Sequence, residues 1–163
     1  MRKGWHAALV GETILMKFRA VTIAFAILVV AGPAWVALAS QTVVDDRIAG
    51  MKSLIGAIRG ATGASDPVVA RENLGRAITY AKSIPGRFPK GTGLGDAGIT
   101  KTRAKQDIWT KPALFKAEAD GFVAALEAAS AGAGDAAAFD AAMATVRKSC
   151  SSCHDAFRGP AVD

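Results

Sequence analysis

The chain has 163 residues, 51% of them apolar and 21% charged, with a formal net charge of +6. That length suits one domain, and no internal repeat suggests two. The positive charge is not gathered into basic clusters interleaved with aromatic residues, which excludes nucleic-acid binding as a first reading.

Residues 1–39 read as a targeting segment. Lys17 and Arg19 precede the apolar run "VTIAFAILVVAGPAWVALA", which closes on Ala37-Leu38-Ala39. A basic region, an apolar run and a small-residue end describe a secretory signal peptide. Residues 1–15 add nothing to that pattern, and Met16 is the better start. The alternative is an uncleaved anchor, because Val21 to Ala39 is long enough to just span a bilayer. Gly32-Pro33 interrupts the run near its end, which favours cleavage, and export is expected either way. The expected mature domain, 40–163, keeps 16 basic and 13 acidic residues, a net charge of +3. It retains one histidine (His154), one tryptophan (Trp109) and two methionines (Met51 and Met143).

The mature chain reads as helices throughout. From Gln41 to Arg59, Val44, Ile48, Met51, Ile55 and Ile58 recur at steps of four and three, one apolar face of a helix. "GATGAS" breaks it. Asp66-Pro67 then reads as an N-cap with proline at the first helical position. The second helix runs to about Ser83, with Ala70, Leu74, Ala77, Ile78 and Ala81 inward.

Residues 85–100, "PGRFPKGTGLGDAGIT", form a long irregular connection of a kind that often serves a function. A third helix begins within 101–110 and continues past Pro112, which marks either a first turn or a kink. Its inward face carries Phe115, Ala119, Phe122, Leu126 and Ala129. After "SAGAG", Asp135 caps a fourth helix bearing Phe139, Met143, Val146, Cys150, Cys153 and Phe157 on one stripe. The pattern predicts an all-α fold: an antiparallel up-down four-helix bundle with a long loop between helices 2 and 3.

The last helix holds both cysteines of the chain in Cys150-Ser151-Ser152-Cys153-His154, a C-x-x-C-H motif. This is the attachment signature of c-type haem. Each thiol adds its S–H across one haem vinyl group, and residues three apart on a helix share a face from which both sulfurs reach the porphyrin edge. The following imidazole then binds iron as proximal ligand. A disulfide redox site also uses C-x-x-C, but such a site sits at a helix start, where the dipole lowers the thiol pKa. A structural zinc site needs four ligands, more than two cysteines and one histidine supply.

These residues together resemble the cytochrome c′ superfamily of periplasmic haem bundles, over about residues 41–159. "CSSCHDAFR" is similar to the family's C-terminal motif, "FPKGTG" and "KQDIWTKPALFKA" to its long loop and the opening of its third helix, and "DDRIAGMK" to its first-helix segment over the open haem face. The resemblance implies one haem c attached through Cys150 and Cys153, His154 on iron, and a periplasmic location in a Gram-negative bacterium. It also singles out Met51, four residues after Arg47. An apolar or aromatic residue there leaves iron five-coordinate in cytochromes c′, whereas a methionine supplies a sixth ligand in the low-spin cytochrome c-556 group. The expectation is therefore a c-556-like protein with His154 and Met51 both on iron. Met143 lies about 16 Å before His154 along the same helix and is expected in the core. Arg47 is expected at a haem propionate, Arg158 beside the proximal histidine, and Trp109 and Phe88 as apolar walls of the haem pocket.

The function expected on this reading is single-electron transfer with transient redox partner proteins. The chain is a monomer or homodimer, contacts a membrane only if the signal segment is uncleaved, and is not an enzyme. If Met51 merely packs, the alternative is a five-coordinate protein that binds nitric oxide or carbon monoxide.

Overall fold

The computed structural model describes residues 32–161, with side chains from 41 onward. Expectations about the basic region and most of the apolar run of the targeting segment fall outside the described residues. The chain divides into Met1–Leu38 and Ala39–Asp163, and the bundle is the second of these. Among the described residues five α-helices follow one another: α1 Gly32–Thr62, α2 Pro67–Ser83, α3 Asp107–Thr110, α4 Pro112–Gly132 and α5 Ala136–Phe157. One 3-10 turn, Pro85–Arg87, follows α2. Among the described residues there is no strand, only an isolated bridge between Ala104 and Arg158. Nor is any described helix long and apolar enough to cross a membrane.

The local chemistry of the boundaries is as the sequence predicts. The Asp66 carboxylate accepts from the Val68 amide at 2.8 Å, and Pro67 opens α2. Asp135 accepts from the Ala138 amide at 3.0 Å at the start of α5. Each cap satisfies a donor that the first helical turn leaves without a partner. The expected third helix is instead two. Lys111 (φ −126°, ψ 55°) leaves helical geometry, and Pro112 starts α4 afresh because it has no N–H to continue α3.

The long helices α1, α2, α4 and α5 form the four-helix bundle, with α3 a single turn ahead of α4. Helix α4 packs on both α5 and α2. The core includes Leu74, Phe115, Phe122, Leu126, Met143 and Val146. Phe139, Cys150 and Cys153, expected on the α5 stripe, are half-buried and pack against its margin.

Helix α1 departs from the expected register. Val44 is buried, but so are Arg47, Leu54 and Ala61, while Ile55 is 47% exposed. The buried face is rotated from the purely apolar one because α2 presents two bulky side chains where α1 has glycines. A Cβ at Gly50 would strike the Tyr80 ring, and one at Gly60 would lie 2.6 Å from Asn73 Oδ1. These small residues admit α2 of the same chain.

Candidate haem-attachment site

Cys150 and Cys153 lie one turn apart in the last third of α5, both half-buried against the core and both free thiols. Burial pushes the Cys150 thiol up. Cys153 is pushed up to about 11, chiefly by burial, with Glu118 and Cys150 adding to the shift. A redox-active cysteine needs the opposite environment, one that favours thiolate. Their position near the C-terminal end of α5 also denies them the positive end of a helix dipole. The disulfide-exchange alternative therefore has no support from the geometry. Among the described residues no group of three His, Cys, Asp or Glu side chains that could hold a metal ion assembles.

His154 is exposed in the last turn of α5, and its carbonyl accepts from the Arg158 amide at 2.9 Å. Its pKa is lowered, first by partial desolvation and then by the guanidiniums of Arg158 and Arg103, with Asp155 opposing them. A neutral imidazole is the form that binds a metal. Arg158 itself is exposed.

The crossover between α2 and α4 is stitched to this end of α5. Lys105 N donates to Phe157 O at 3.0 Å, and Gly159 N to Arg103 O at 2.6 Å. Arg103 Nε donates back to Gly159 O at 2.7 Å, and Lys105 Nζ to Asp155 O at 2.9 Å. Trp109 Nε1 donates to Phe88 O at 2.9 Å, so the two expected wall residues are tied together. Gly93 lets the Trp109 ring close on the loop, since a Cβ there would sit 2.5 Å from Cζ3. Phe88, Phe115 and Phe157 form successive edge-to-face pairs, with centroids 5.0 and 5.2 Å apart.

On α1, Met51 is half-buried and packs against the core. Arg47, one turn earlier, is only 4% exposed. Its guanidinium lies 4.2 Å from the Phe88 ring centroid. It also donates to Thr92 Oγ1 (3.1 Å), Thr92 O (3.0 Å), Thr102 Oγ1 (2.9 Å) and Arg87 O (3.4 Å). Burial lowers its pKa, and among the described residues it forms no ion pair with a carboxylate. Arg47 thus holds the crossover.

Sequence reasoning left Tyr80 without a role, yet it braces this cluster. Its hydroxyl donates to Arg47 O at 3.0 Å, and Arg87 stacks 4.6 Å above its ring. Thr92 and Thr102 were likewise overlooked. The signal available was Arg47 itself, which falls on the helical period of Val44 and Leu54.

The profile of the family described as Cytochrome C′ matches residues 41–158. The chain belongs to the cytochrome c′ family. Over 81 residues it is 42% identical to the cytochrome c′ of Pararhodospirillum photometricum, a stretch covering 47% of this chain and 60% of that relative. Over 95 residues it is 37% identical to the cytochrome c′ of Rubrivivax gelatinosus, covering 57% and 70% of the two chains. Among solved structures, a cytochrome c′ from Rhodobacter Spheriodes superposes with a TM-score of 0.64 at 27% identity, covering 74% of this chain and 97% of that one. The nitric oxide complex of a leucine-to-alanine mutant of cytochrome c prime from Alcaligenes xylosoxidans gives 0.62 at 26% identity, covering 74% and 96%.

Cytochromes c′ carry one covalently attached c-type haem, and that is the cofactor of this protein. The residues present fit it. Two free thiols on one helical face, a neutral imidazole one position later and half-covered apolar groups including Met51 and Trp109 are what a planar apolar cofactor would engage and finish covering. The expectation of a c-556-like, low-spin electron carrier with Met51 on iron is overturned. The family match and the curated relatives are cytochromes c′, the group in which iron is five-coordinate and takes small ligands. The error lay in reading subtype from one methionine, a side chain that fills apolar gaps as readily as it binds metal.

Proposed function

We propose that this protein is a periplasmic cytochrome c′ that binds a small uncharged gas, nitric oxide or carbon monoxide, at a five-coordinate haem. The haem supplies the iron at which such a ligand binds. In this reading Cys150 and Cys153 would hold the cofactor as thioethers, and His154, as a neutral imidazole, would bind its iron. Met51 contributes an apolar distal wall that favours uncharged ligands and disfavours water and anions. Trp109 and Phe88 continue that wall, and Arg158 keeps positive charge beside the proximal histidine.

The observation that carries the reading is the family match across essentially the whole bundle, residues 41–158. Supporting it, Met51 already has apolar packing partners. The solved neighbours also include a relative complexed with nitric oxide.

The test is a carbon monoxide titration of the reduced, exported protein, followed by its visible absorption. Saturable binding of one carbon monoxide per haem is expected. A reduced spectrum that does not respond to the gas would count against the proposal.

A further inference from the structure

Every hydrogen bond of the Arg47 guanidinium described above goes to the crossover, to residues 87, 92 and 102. The same crossover is bonded at its other end to residues 155–159, immediately after His154. One segment therefore ties α1, a turn before Met51, to the end of α5.

We infer that the crossover is a two-ended strap fixing the spacing of the Met51 and His154 segments. Arg47 is the positioning residue that locks it, and so limits the size of ligand admitted beside Met51. The selectivity half of this inference rests on the gas-binding reading above.

The lock has a physical basis. A buried guanidinium has given up much of its hydration, so each hydrogen bond it makes is costly to lose. The two threonine hydroxyls are committed on both sides. Thr92 Oγ1 accepts from Arg47 and donates to Pro89 O at 2.7 Å, while Thr102 Oγ1 accepts from Arg47 and from the Ala104 amide at 3.2 Å. Phe88 is held from two sides, by Arg47 and by Phe115. Moving the strap at Arg47 therefore disturbs the loop, the aromatic stack and the Trp109 anchor together, which makes the arrangement two-state rather than soft.

The experiment uses the haem-loaded protein in three forms: wild type, Thr92→Val with Thr102→Val, and Thr92→Ser with Thr102→Ser. The reduced forms are titrated with carbon monoxide and with tert-butyl isocyanide, a bulkier neutral ligand. The valine pair should tighten isocyanide binding relative to carbon monoxide by roughly tenfold, the order of one lost hydrogen bond, and the serine pair should restore wild-type selectivity. Leu126→Ala, which removes a buried core side chain late in α4 and touches none of the strap's hydrogen bonds, controls for general loosening and should leave the ratio unchanged. Hydrogen exchange without ligand is read at the strap amides of Leu94, Lys105 and Gly159, and should accelerate by roughly tenfold in the valine pair alone.

If exchange accelerates but the isocyanide ratio stays fixed, the selectivity claim fails. Unchanged exchange sinks the strap itself. A wild type that binds no carbon monoxide overturns the gas-binding reading and the selectivity half with it, while the exchange rates still decide whether Arg47 locks the strap.

Discussion

The two ends of the haem site are built from opposite kinds of information. The α5 end is local: in the proposed reading five consecutive residues, Cys150 to His154, carry the attachment chemistry, and a regular helix is enough to align them. The α1 end is tertiary. What Arg47 and Met51 do depends on a crossover some 40 to 55 residues further along the chain, which the helical pattern of α1 does not encode. A short motif thus specifies where the cofactor attaches, whereas long-range packing specifies what its iron can do.

The sharpest way to break this contrast is at the motif. Replacing Cys150 and Cys153 together by serine should abolish covalent haem, read as loss of haem-linked peroxidase staining on a denaturing gel. Retention of the stain would mean that attachment is not through this motif. Next in size is Arg47→Met, which leaves the buried acceptors of Thr92 and Thr102 without their donor. It should destabilise the bundle by roughly 2–4 kcal/mol in denaturant titrations. A loss below the scatter of the method would make Arg47 a bystander.

Gly50→Ala drives a Cβ into the Tyr80 ring and should cost about 1–3 kcal/mol, measured the same way. Tyr80→Phe, which removes one hydrogen bond to Arg47 O, should cost about 0.5–1.5 kcal/mol. Tyr80 is the chain's single tyrosine, so its ionisation is readable by ultraviolet difference absorption. Burial raises its pKa above the ordinary 10, against the opposing charges of Arg87 and Arg47. The folded state then keeps a proton that the unfolded chain gives up. This contribution to stability is complete below pH 10 and is lost as pH rises through the raised value. Stability falling in that window for wild type, and less steeply for Tyr80→Phe, is the expected pattern.

Legibility in the sequence follows the same divide. The bundle, its caps at Asp66 and Asp135 and the faces of α2 and α4 could be read because hydropathy and capping are short-range. The register of α1 could not. A buried arginine interrupts the apolar period, and the rotation that buries it is set by Tyr80 and Asn73 meeting glycines. Pro112 was ambiguous because a proline can kink one helix or open another, and only the non-helical Lys111 separates the two helices that flank it. The subtype failed for a further reason. One methionine side chain can serve either as ligand or as packing, and nothing within its own helix distinguishes the two.

The most direct test of the account is the spin state of the oxidised protein, by electron paramagnetic resonance and near-infrared absorption. A high-spin signal with no methionine–iron charge-transfer band is predicted, with Met51 as an apolar wall. A low-spin signal accompanied by that band would place Met51 on iron and contradict the account.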